Sequence, residues 1–188
     1  MKTKTLKDVY VDELRDLYDA ERQLIKAIPK MAKAATSEDL HKGFEEHLEQ
    51  TKGHASRLEQ ILQGLGEAVK GKRCKGMEGI VTEGGEVMSE DYEGAVMDAA
   101  LITAAQRVEH YEIAAYGSVQ AFATLIGETE AAGLLEQTLA EEKKTDEKLS
   151  ELSDEINSQA FEPSNSNEEM PDEEPKVKQR AAKAGSSR

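Results

Sequence analysis

Four segments of this chain carry apolar residues at alternating spacings of three and four, and each interrupts that seam near mid-length with a carboxylate or an imidazole. The clearest is Leu101, Ala105, Val108, Glu112, Ala115, Val119 and Phe122, the stripe of a helix packed into a bundle, with an acid in one seam place. Glu109 lies one turn back, so both carboxylates project toward whatever the seam packs against. An N-terminal segment repeats the phase through Tyr10, Leu14, Leu17, Glu21, Leu24, Ile28 and Met31, with Glu21 in the place of Glu112. A third acidic seam runs through Leu135, Leu139, Glu142, Asp146 and Leu149. The remaining segment carries histidines: Leu40, Phe44, His47, Thr51, His54, Leu58, Ile61 and Leu65.

These periods predict long helices over about 6–34, 38–65, 92–126 and 130–157. Thr5 or Thr3 can cap the first helix, Thr36 or Ser37 the second, and Pro29 predicts a kink or loosening near Lys26. The short connection at 36–39 makes the first two helices antiparallel neighbours. Between about 67 and 91 glycines interrupt a basic loop and a weak helical stretch over 77–88, which reads as a crossover. The expected fold class is therefore all-α: a ferritin-like four-helix bundle over 1–161, with a long crossover between its second and third long helices that carries a short helix. Residues 162–188 lack periodicity and read as a disordered tail, acidic first and basic last.

The formal net charge of -14 should repel nucleic acid and anionic membranes, and it suits an attractor of cations. The basic end of the tail is a weak signal for nucleic acid, outweighed by its reading as a solvated tail. A single cysteine, Cys74, excludes an intrachain disulfide, and with the polar start of the chain it points to the cytoplasm. No stretch reaches the roughly 20 apolar residues of a membrane span.

Ionised carboxylates cost several kcal/mol to bury without compensation. A structural reading pairs Glu21, Glu112 and Glu142 with Arg15, Arg22, Arg107 or Lys143, but the inner faces offer almost no Lys or Arg. Bound metal or protonated carboxyls remain, and metal is the favoured reading. His47 and His54 stand about 10 Å apart along a helix, too far to share one ion. His54, closer to the level of Glu21, is the preferred ligand, and His47 is left as a core or supporting residue. His110 points to another face and His41 is a solvated helix-start residue. Tyr116, one turn after Glu112, is in reach of a carboxylate, although a core tyrosine is the simpler reading.

The runs over 98–117 and 139–149 resemble the YciE/YciF family of ferritin-like bacterial stress proteins, and the likeness extends to 19–24, 57–61 and 72–79. The resemblance implies a homodimeric ferritin-like bundle with a di-iron centre and a link to general or osmotic stress. By analogy with rubrerythrin-like bundles it implies Glu21 as a terminal ligand, Glu109 and Glu112 as alternative acids, Glu142 as the bridging acid, and Asp146 where a histidine is usual. Relatives read His-Leu-Glu-Glu-Thr where this chain has His47-Leu48-Glu49-Gln50-Thr51, so Gln50 replaces an acid, and His54 stands where they tend to have Gln. An amide oxygen binds iron more weakly than a carboxylate, which His54 can offset.

The expected metal ligands are thus Glu21, Gln50, His54, Glu109, Glu112, Glu142 and Asp146, holding two Fe, or Mn, per bundle. The expected activity is oxidation of Fe(II) by oxygen or peroxide, as a ferroxidase or peroxide scavenger. The alternative is a non-enzymatic dimeric helical scaffold of the stress response, its acids structural.

Overall fold

The computed structural model describes residues 4–70 and 72–161, so the tail expected over 162–188, with its basic end, lies outside the described residues. Five helices follow in order: α1 (Leu6–Ala34), α2 (Glu38–Gly64), α3 (Lys75–Val87), α4 (Gly94–Ile126) and α5 (Thr129–Ala160). There is no strand among the described residues.

Local chemistry sets the boundaries. Thr5 and Asp8 form a reciprocal capping box at the start of α1, and the Ser37 hydroxyl accepts from Leu40 N–H at the start of α2. Gly127, at φ 82°, ends α4 in the left-handed conformation that suits glycine. α1 runs through Pro29 to Ala34 without a break.

The helices pair as α1 with α2 and α4 with α5, and these are the two most extensive packings. Cross-contacts show each pair antiparallel: Tyr18 to Glu59 and His41 to Ala32 in the first, Gln106 to Ser150 and His110 to Asp146 in the second. α1 and α4 are also antiparallel, since Asp98 meets Thr36 while Tyr116 meets Glu21. Asp98 accepts from Thr36 N–H at 2.7 Å, Thr36 O–H at 2.6 Å and Ser37 N–H at 2.8 Å, which stitches the α1–α2 connection to α4.

The crossover is pinned rather than draped. Cys74 N–H donates to Asp19 at 2.8 Å, Gln23 donates to the Cys74 carbonyl at 3.0 Å, and the Cys74 thiol caps α3. Gly76 packs against the Tyr111 ring so closely that a Cβ there would stand 2.8 Å from Cε2. The apolar core falls into two parts, one containing Leu24, Phe44, Leu101 and Leu149, the other Leu14, Leu58, Val119 and Leu135. The seam acids and histidines occupy the layer between them.

Candidate metal centre

That layer takes Glu21 from α1, His47 and His54 from α2, Glu109 and Glu112 from α4, and Glu142 from α5, none more than 5% exposed. One ligand atom each from His47, Glu109, Glu112 and Glu142 lies within 4.8 Å of the others, and the same holds for Glu21, His54 and Glu142. Glu142 belongs to both groups. Donors about 2.1 Å from a common ion stand about 3–4 Å apart, so both groups have the compactness of a coordination shell.

Within them His47 Nε2 is 3.3 Å from Glu109 Oε1, while His54 Nδ1 is 2.9 Å from Glu142 Oε1 and 3.6 Å from Glu21 Oε1. These are close approaches without hydrogen-bond alignment, for His54 Nδ1 and His47 Nε2 have no hydrogen-bond partner. Both oxygens of Glu112 and of Glu142, Glu21 Oε2 and Glu109 Oε2 are likewise unpartnered. Buried polar atoms are normally satisfied, and each orphan costs about 1–3 kcal/mol or more if charged. Asp98 shows how a structural acid is buried here, with three donors on its two oxygens. Apart from the Tyr116 hydroxyl on Glu21, the central acids lack such donors, which leaves a set of hard oxygens and two imidazoles that fits a divalent cation.

Burial, then the charge of Glu142, drives the Glu109 carboxyl well above the usual carboxylate range, and burial with the Glu21 and Glu142 charges does the same to Glu112. Burial pushes Glu21 up to about 8, against the moderating charge of His54. The two histidines differ. Burial lowers His47, which favours its neutral form. At His54 burial also lowers, but Glu142, Glu21 and Glu141 outweigh it and push the imidazole up to about 9. Arginine and lysine take no part: among the described residues the ion pairs of these acids are with His47 and His54 alone. Arg15 pairs with Glu67, Arg107 with Glu83, and Arg22 lies over the Tyr18 ring.

Five of the seven residues read from the sequence as ligands, Glu21, His54, Glu109, Glu112 and Glu142, come together in the two groups. Gln50 and Asp146 stand beside them. Gln50 Oε1 is 3.4 Å from His47 Nδ1 and 3.5 Å from Thr145 Oγ1, so it accepts from the proton-bearing nitrogen of His47 and turns Nε2 toward the acids. Asp146 is half-buried, with Oδ2 at 3.3 Å from exposed His110 and Oδ1 unpartnered. His47, expected as a core or supporting residue, stands in a donor group of its own beside that of His54, with ring centroids 6.5 Å apart. Tyr116 is fully buried and donates to Glu21 rather than to Glu112.

A supporting network went unread in the sequence. Arg57 donates to both Glu141 oxygens, at 2.6 and 3.0 Å, and to Thr138 at 3.0 Å, while Glu141 Oε2 lies 2.9 Å from His54 Nε2. Burial would raise Glu141, but Arg57 and His54 pull it down to about 2. The sequence signal for it is Arg57 one turn after His54, on a flank outside the apolar seam.

Two antiparallel helix pairs joined by a long crossover, with acids and imidazoles from all four long helices meeting between two apolar cores, define a ferritin-like bundle whose buried cluster could hold metal. The chain belongs to the family described as "Domain of unknown function (DUF892)", which matches residues 5–162. It is 44% identical over 153 residues to Protein YciF of Escherichia coli (strain K12), covering 81% of this chain and 92% of that protein. The crystal structure of the E. coli stress protein YciF is similar with a TM-score of 0.81 at 42% identity, over 84% of this chain and 99% of that one. A protein from Bacillus anthracis str. Ames, described as ferritin like and diiron-carboxylate, shares the fold at a TM-score of 0.61 and 18% identity, over 80% of this chain and 99% of that one.

Proposed function

We propose that this protein is a cytoplasmic, homodimeric stress-response protein that holds a dinuclear iron or manganese centre and oxidises Fe(II) with oxygen or peroxide. The observation that carries the reading is Glu142, a buried acid without hydrogen bonds that belongs to both donor groups, as a bridging ligand must. Glu21 and His54 would complete one position, and His47, Glu109 and Glu112 the other. Gln50 orients His47, and Asp146, whose charge acts on Glu109, would join by turning its side chain inward.

A bound iron or manganese pair would supply one-electron transfers at a site closed to water. In the overall reaction two Fe(II) substrates become Fe(III), and their two electrons with two protons reduce dioxygen to hydrogen peroxide, or peroxide to two waters. The chain's own part is electrostatic: it excludes solvent, supplies negative charge that favours the ferric product, and yields protons from Glu109, Glu112 and Glu21 as a cation displaces them.

Protein purified without chelator and incubated aerobically with Fe(II) should retain about two metal ions per bundle. Glu142→Ala should lose both. No retained metal, together with an unchanged melting temperature, would sink the proposal.

One observation favours a scaffold instead: the His54 imidazole, pushed up to about 9, is a counter-charge for Glu142 and Glu21 that needs no metal. Under that reading Glu112→Leu leaves the cellular stress phenotype intact, whereas under the first it abolishes metal-dependent oxidation.

A further inference from the structure

An apolar cavity adjoins the layer of acids and is unlike it in chemistry. It lies between α1, α2, α4 and α5, walled by Leu24, Ile28, Phe44, Val108 and Leu149, and it ends on His47 and Glu109. It leaves about 30 Å³ for the centre of a water-sized sphere. Along one side it is shared with a polar cleft between α2 and α5, of about 490 Å³ on the same measure, and Gly43, His47, Thr145 and Lys148 line both. Leu152, on α5, lines the apolar pocket but not the cleft. Lys148 and Glu46, 2.6 Å apart, span the cleft.

Chemistry selects the occupant. A hydrated cation would shed its water against walls that are mostly hydrocarbon, past the ammonium of Lys148 at their edge. A water molecule needs two to four polar partners, and apolar cavities without them stay dry and take up apolar guests. The room suits a molecule of a few atoms. The polar atoms at the inner end are His47 Nε2 and Glu109 Oε2, both buried and both without hydrogen-bond partners. The pocket therefore leads a small, uncharged, apolar molecule to the donor group of His47, Glu109, Glu112 and Glu142 rather than to that of Glu21 and His54.

We propose that this apolar pocket is the holding site for dioxygen. The inference rests on the oxidation proposed above, in which dioxygen is an electron acceptor. It also divides the acceptors, since hydrogen peroxide, a polar molecule, is suited to the wet cleft.

The probe is xenon, an apolar atom that reports the cavity without metal or turnover. The wild-type chain under xenon pressure should show a xenon atom in the pocket, by diffraction or by ¹²⁹Xe NMR. Leu152→Trp, at a half-buried wall position that does not line the cleft, should lose it, and the volume-conserving Leu152→Met should keep it. Both variants should keep the wild-type metal content. With dioxygen as acceptor, Leu152→Trp should raise the apparent KM by roughly tenfold at unchanged kcat, the signature of lost uniform binding. With peroxide as acceptor it should change nothing. Absence of xenon from the wild type, its persistence in Leu152→Trp, a long-chain lipid found in the pocket, or equal slowing with both acceptors would overturn the holding site. A wild-type chain that takes up xenon but no metal would instead overturn the oxidation reading, and with it the assignment of dioxygen as the guest.

Discussion

The imidazole of His54 lies between two carboxylates, with Nδ1 at 2.9 Å from Glu142 and Nε2 at 2.9 Å from Glu141. Glu141 is in turn held by both terminal nitrogens of Arg57. A ring fixed at one nitrogen presents the other in a single direction, which is how supporting carboxylates tune histidine ligands. Glu141→Gln should therefore weaken metal binding by about 10–100-fold while the fold persists. Titration with Mn(II) followed by calorimetry checks it, and undiminished affinity in both Glu141→Gln and Arg57→Leu would remove the network from the site.

Two buried acids on α4 should respond to truncation with opposite signs. Asp98 accepts three hydrogen bonds from the α1–α2 connection, so Asp98→Ala orphans their donors and should cost about 2–4 kcal/mol. Glu112 accepts none, and in the chelated protein Glu112→Leu should stabilise by about 1–4 kcal/mol, as when buried charge is exchanged for a packed apolar side chain. Urea unfolding of the two variants decides it, and destabilisation by both would mean that Glu112 has a structural partner.

The seams were legible because each acid breaks a period of three and four that otherwise runs unbroken, so Glu21, Glu112 and Glu142 could be placed on inward faces from spacing alone. Periodicity along one helix carries no register between helices. That is why the sequence could not divide His47 from His54 between two groups, nor show that Tyr116 reaches across to Glu21. Glu141 and Arg57 escaped for a related reason: both sit on flanks and acquire meaning only when α2 and α5 are laid side by side. Asp98 opens the family-like run over 98–117, and its stitch to Thr36 depends on a contact across 62 residues.

Glycine substitutions should separate close approach from open surface. Gly76→Ala places a methyl 2.8 Å from a Tyr111 ring whose hydroxyl is tied to Cys74 at 2.9 Å and Asp16 at 3.1 Å. With the ring pinned, overpacking should cost about 1–3 kcal/mol. Gly53→Ala, inside α2 with nothing within 4 Å of the new methyl, should gain up to about 1 kcal/mol from helix propensity. Thermal melts of the pair test this, and equal effects would show that α3 yields to let Tyr111 move.

The pH dependence of stability should reverse when metal binds. Glu21 is raised from 4.5 to about 8, with Glu109 and Glu112 also raised. The stability such groups contribute is complete below their unfolded value and is lost as pH climbs through the folded one, by about 1.4 kcal/mol per pH unit for each proton held. His54, raised from 6.5 to about 9, has the same sign over a higher window. Glu141, lowered from 4.5 to about 2, acts oppositely and loses its contribution only as pH falls below 4.5. The chelated protein should therefore be most stable near about pH 4–5 and melt at progressively lower temperature toward about pH 9. A cation requires ionised carboxylates and a neutral His54, so its binding releases protons and strengthens as pH rises. Melting temperatures with chelator and with excess Mn(II) should accordingly diverge with increasing pH, and parallel curves across that range would show that the ion does not bind at these carboxylates.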